Sequence, residues 1–154
     1  MTGRTLLASL VAIVVSTAVL PPAAAWAVNR RRVSRASTDV AALSLRLQGR
    51  DADLRRLAVA SAVLFGPGAM PVADSAAAQP WVSSPRARLS LVVGDDGLAA
   101  DPWGNCYVVN VAALAAPARA TLWLLSAGPN GIIETPFSSA SGVPGGDDVG
   151  MVVR

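Results

Sequence analysis

Apolar residues follow three different patterns along this chain of 154 residues. From Thr5 to Val28, TLLASLVAIVVSTAVLPPAAAWAV, no charged residue occurs. A helix of that length reaches the roughly 20 apolar residues that a bilayer core requires. The pattern then narrows to a stripe: Val33, Ala36, Val40, Leu43, Leu47, Leu54 and Leu57 recur in three- and four-residue steps, with Arg50 as the polar interruption. That spacing predicts one apolar face along an amphipathic helix. Gly49 costs about 1 kcal/mol inside a helix, and GRDAD offers a stop and restart with Asp51 as N-cap.

Past Leu57 the apolar residues fall into short runs separated by punctuation. LFGPGAMP and AQPWVSSP hold too many Gly and Pro for regular structure, and they read as a long connection packed down by Trp81. RLSLVV, CYVVNVAAL, TLWLL and VGMVVR are the strand candidates, and the turn GDDG follows the first of them. DPWGN fits a tight turn with Pro in second position, where Trp103 reads as a structural plug. One helix followed by strands predicts an α+β domain, a long N-terminal helix laid on a small antiparallel sheet.

Composition narrows the function. All thirteen basic residues are Arg, with no Lys and no His, which removes the usual general base, the Schiff-base amine and the commonest transition-metal ligand. Cys106 is the single cysteine and has no His to activate it, so it reads as a half-buried strand residue and the chain as a non-enzyme. Residues 1–56 carry nine Arg against three Asp, whereas residues 57–154 carry four Arg against seven carboxylates. The C-terminal part therefore lacks the basic stripe that a nucleic acid requires. The Arg30–Arg32 cluster beside the apolar run reads as a solvated flank, with a lipid or partner site as the alternative.

The charge-free run has two readings. PPAAAWA ends in an A-x-A pattern at Ala27, as at a signal-peptide cleavage site. The stripe beginning at Val33 favours retention instead, because one helix can continue from membrane to domain. The expected organisation is a membrane or targeting segment at 1–28 and an α+β domain at 29–154.

The loop from Ser126 to Asp148 joins two apolar runs, LWLL and VGMVV, and contains Asn130, Glu134, Asp147 and Asp148. Adjacent Asp147 and Asp148 repel unless a cation neutralises them. Hard cations such as Ca²⁺ take six to eight oxygens from carboxylates, amides and carbonyls, all of which this loop offers. The D-x-D-x-D-G run of an EF-hand is missing. The alternative is a solvated acidic loop end with Asp147 capping a turn.

In that order, DPWGNCYVVNV, LWLLSAGPNGIIETPF and GGDDVGMVVR resemble the C-terminal domain of the major pseudopilin of type II secretion systems, within the type IV pilin-like family. RRRVSRASTDVAALSLRLQ resembles the amphipathic half of that family's N-terminal helix. The resemblance implies a pilin-like fold and a structural subunit that polymerises through its N-terminal helix. It also implies an inner-membrane anchor, a periplasmic domain, and partners among further copies and other secretion-apparatus components. A structural Ca²⁺ is implied between the last two strands. Asn130 matches the family's side-chain oxygen in the Gly-rich turn, and Asp147 and Asp148 match its carboxylate pair. The nearby carbonyls of Ser126 and Ala127 would complete the shell, while Glu134 has no counterpart. At the N-terminus, GRTLLA departs from the family pattern G-F-T-L-[LI]-E: Arg4 stands where the aromatic residue is usual and Ala8 where the glutamate is.

Overall fold

The computed structural model describes residues 3–48, 62–83, 87–88, 99–111 and 121–153, with side chains given for all of these except 3–22, 83, 87 and 88. The expected stop and restart at GRDAD, the stripe positions Leu54 and Leu57, the GDDG turn and most of RLSLVV lie outside the described residues. Contacts divide the chain into two compact units, residues 1–32 and residues 33–154.

Helix α1 runs Gly3–Leu47. Among the described residues no helix is long and apolar enough to cross a membrane; most side chains of the expected span, those up to residue 22, lie outside the described set. Residues 23–32 of α1 are exposed.

Within the second unit the stripe is a buried face: Ala36, Val40, Leu43 and Leu47 are each at most 2 % exposed. Val33, its expected first member, is 37 % exposed, so the packed face starts one turn later. The five-stranded sheet follows the order β3-β1-β4-β5-β7, formed by β1 (Val63–Phe65), β3 (Ala87–Arg88), β4 (Tyr107–Val109), β5 (Leu122–Ser126) and β7 (Val149–Val153). The pairs β1·β4, β4·β5 and β5·β7 are antiparallel. The expected antiparallel sheet is thus present in four strands, and the short edge pair β1·β3 is parallel. The protein is therefore α+β, with a helix packed on a largely antiparallel sheet.

Strands β1, β4 and β5 are buried on both faces, which explains why they read as continuous apolar runs instead of alternating ones. Val40, Leu43 and Leu47 of α1 pack with Val63, Phe65, Tyr107, Val109, Leu122, Leu124 and Val153. The alternate residues Leu64, Val108, Trp123 and Leu125 form a second core with Cys106, Ala127, Ile133 and Trp81. The Tyr107 hydroxyl donates to Asp39 Oδ2 of the helix at 3.0 Å, and Asp39 also meets Arg35 Nε at 3.8 Å. Burial and this carboxylate hold the phenol well above its ordinary pKa.

Loops cover the second face. Trp81, 1 % exposed, stands edge-on to Phe137 with ring centroids 5.0 Å apart, and its indole Nε1 donates to Thr135 O at 2.9 Å. The expectation that Trp81 packs down this connection agrees with its position. The connection itself is more regular than its Gly and Pro content suggests. It supplies β1, a helical turn at Pro80–Ser83, and β2 (Val72–Ala73), which pairs in parallel with β6 (Ile132–Ile133). Cys106 is fully buried, not half-buried, directly before β4.

Candidate metal centre

The loop between β5 and β7 is built as a set of reciprocal hydrogen bonds. After β5 the chain turns at Gly128, runs through β6, and returns by way of Gly145 and Gly146. Gly128 has φ +63°, and a Cβ there would lie 2.3 Å from the Asp147 carbonyl oxygen and 2.9 Å from Asp147 Oδ1. The two arms of the loop thus touch through a glycine that no other residue replaces without displacing Asp147. Gly128→Ala is expected to cost more than the 1–2 kcal/mol of its left-handed backbone alone, because the close approach adds to it. Urea titration checks this; an unchanged midpoint would show that the arms are not held together.

Asp148 is 8 % exposed. Its Oδ2 accepts from Glu134 N at 3.0 Å, Thr135 N at 2.7 Å and Thr135 Oγ1 at 2.6 Å. Thr135 Oγ1 in turn accepts from Gly145 N at 2.8 Å. Oδ1 of Asp148 is buried and meets no donor, and neither does Oδ1 of Asp147. Desolvation raises the Asp148 pKa to about 6 against the pull of these donors. Burial likewise raises Asp147, helped by the charge of Glu134 and opposed by the main-chain amide of Asn130. Glu134, which the sequence left outside the ligand set, accepts from Asp147 N through Oε2 at 2.9 Å. As the only glutamate in the chain, placed in the mostly apolar IIETPF segment, it was conspicuous in composition but not in spacing.

The structure holds Asp147 and Asp148 side by side, Asp148 buried and Asp147 half-buried with its Oδ1 shielded from solvent. It places Asn130 differently: the residue is exposed, and its Oδ1 accepts from Ile132 N at 2.7 Å, closing its own turn. Its link to the carboxylates is through the main chain. Ser126, expected to offer a carbonyl, also uses its side chain, donating through Oγ to Asp101 Oδ2 at 2.6 Å. Asp101 Oδ1 meanwhile accepts from Trp103 N and Asn105 N, at 3.0 and 2.7 Å. This buried carboxylate ties the DPWGN turn to the end of β5, a role for Asp101 that the turn pattern alone did not reveal.

Two orphaned carboxylate oxygens, both on groups whose charged form is disfavoured, fit a hard cation. Among the described residues no three side chains of His, Cys, Asp or Glu converge as a metal-binding group. A cation here would therefore be held by Asp147 and Asp148 and completed by main-chain carbonyls, a donor set that suits Ca²⁺ better than Zn²⁺. No family model matches the chain, and no curated protein or solved structure matches it.

Proposed function

We propose that this chain is a pseudopilin-like structural subunit of a secretion apparatus, anchored by its N-terminal helix in the inner membrane with its domain in the periplasm. The observation that carries the reading is the combination of one helix whose stripe, from Ala36 to Leu47, is buried on the sheet with an uncharged run upstream of it. A chain of this kind works mechanically. Its apolar helices leave the bilayer and pack side by side with further copies, and the α+β domains form the outside of the assembly. Asp147 and Asp148 would hold a structural Ca²⁺, which when bound supplies positive charge that neutralises the pair and fixes the loop. Asn130 contributes through its main chain and through the turn it closes. No catalytic residue belongs to this function.

The resemblance in DPWGN, SAGPNG and GGDD supports the reading, as does the acidic pair in the loop between β5 and β7, with one orphaned oxygen on each carboxylate. Mass spectrometry of the protein from its own cells, combined with membrane fractionation, tests it. The expected result is a mature chain that retains residues 6–28 and sediments with membranes or filaments. A mature N-terminus at Val28 with only soluble protein would overturn it in favour of an exported calcium-stabilised binding module.

A further inference from the structure

We infer that the Trp26–Arg32 turn of α1 is a binding surface for anionic phospholipid headgroups, resting on the membrane-anchored reading above. The helix continues without interruption from the uncharged run into Arg30, Arg31 and Arg32, all exposed. At 1.5 Å per residue these guanidinium-bearing positions lie about 3–6 Å along the axis beyond Val28. That distance matches the headgroup layer, about 5–7 Å thick on each side of the hydrocarbon core. Successive helical residues point about 100° apart, so three in a row span more than half the helix circumference and meet headgroups at any rotation of the helix.

Trp26 supports the same depth. It is 63 % exposed, and the Arg30 guanidinium lies 5.3 Å from its ring centroid. An indole with one apolar and one polar side belongs at the level where hydrocarbon gives way to headgroups. The stacked guanidinium keeps its hydrogen-bonding edge available for phosphate oxygens. No carboxylate occurs in the sequence between Arg4 and Asp39, and Asp39 is paired with Arg35. No carboxylate of their own helix segment therefore competes with an external anion for the three arginines. A zwitterionic headgroup offers a phosphate offset by its own cation, whereas an anionic one offers net charge. Each basic residue near an anionic surface strengthens attachment about fivefold.

The experiment uses the full chain in detergent, titrated with phosphatidylglycerol or phosphatidylcholine of the same acyl composition, with bound lipids counted by native mass spectrometry. Phosphatidylglycerol is expected to be retained at least tenfold more strongly. R30Q/R31Q/R32Q should reduce the preference to within about twofold, and R30K/R31K/R32K should keep most of it. Added salt should narrow the preference in the wild type. Equal retention of the two lipids overturns the inference. So does a triple-glutamine variant that keeps its lipid preference but fails to assemble, since that would place the cluster on a protein neighbour. An intact, membrane-bound chain without lipid preference sinks this inference alone, whereas a mature N-terminus at Val28 removes Trp26 and sinks the anchored reading with it.

Discussion

Trp123→Ala is expected to remove about 3–5 kcal/mol of stability, enough to leave much of the domain unfolded at ambient temperature. Trp123 is 0 % exposed at the centre of the core on the sheet face opposite α1. Its main-chain N–H donates to Asn110 Oδ1 at 2.6 Å, and its indole Nε1 donates to Ser139 O at 2.7 Å. Asn110, itself 2 % exposed, uses Nδ2 to reach Thr121 O and Phe137 O. One indole thus fills the core and fastens the segment after β6 to the sheet. Trp123→Phe separates the two contributions: it keeps most of the buried area and loses one hydrogen bond, at about 1 kcal/mol plus a small packing term. Urea unfolding of both variants checks the pair. Equal losses would mean that the indole hydrogen bond, not the packing, dominates.

The second large effect is an inverted dependence of stability on pH in the absence of metal. Asp148 has its pKa raised to about 6 in the folded chain, and burial raises Asp147 in the same direction. A carboxyl raised on folding binds protons more tightly in the native state than in the unfolded one. Its stabilising contribution is therefore full below the unfolded value near 4 and is lost as pH rises to about 6. Chelator-treated protein is expected to be more stable at pH 4.5 than at pH 7, by an amount of order 2 kcal/mol. Calcium is expected to bind the ionised pair and reverse the trend, adding about 2.7 kcal/mol at neutral pH when free ion is a hundredfold above Kd. Asp148→Asn should flatten the pH dependence and abolish the calcium response. Metal-free protein that gains stability between pH 4.5 and 7, with identical melts in calcium and chelator, would remove the ion from the account.

The helix, β5 and β7 were legible in the sequence because each is marked by a local pattern of its own apolar residues. The stripe through Val40, Leu43 and Leu47 repeats at helical spacing, and LWLL and VGMVV are apolar runs of strand length. β1 was not legible, because Val63–Phe65 is only three residues long and runs straight into GPG. Its strand character comes from pairing with β3 and β4 on either side, which is tertiary information. The parallel β2·β6 contact, joining residues 60 positions apart in register Val72↔Ile132, leaves no local trace at all. At the candidate site, adjacency and the resemblance in GGDD both marked Asp147 and Asp148, since like charges side by side need an explanation. Asn130 satisfies a local backbone donor instead, the habit of Asn in turns. Glu134 reaches back across the loop to Asp147 N, a contact made only once the two arms have met.

The position of Cys106 gives the chain a reporter of its own motions. The thiol is 2 % exposed, with Sγ 3.3 Å from Gly66 O and 3.2 Å from Gly68 O. Its main chain is bonded to Ala69, whose N–H donates to Gly104 O. A Cβ at Gly68 would come 2.4 Å from the Asn105 carbonyl carbon, so the two segments are closely packed beside the buried thiol. An aqueous thiol reagent can react only after segment 66–69 has parted from segment 104–106. Because the chain has no second cysteine, the labelling rate under native conditions measures the free energy of that one local opening. Comparing that rate with global unfolding tells whether segments 66–69 and 104–106 part alone or only as the whole domain comes apart.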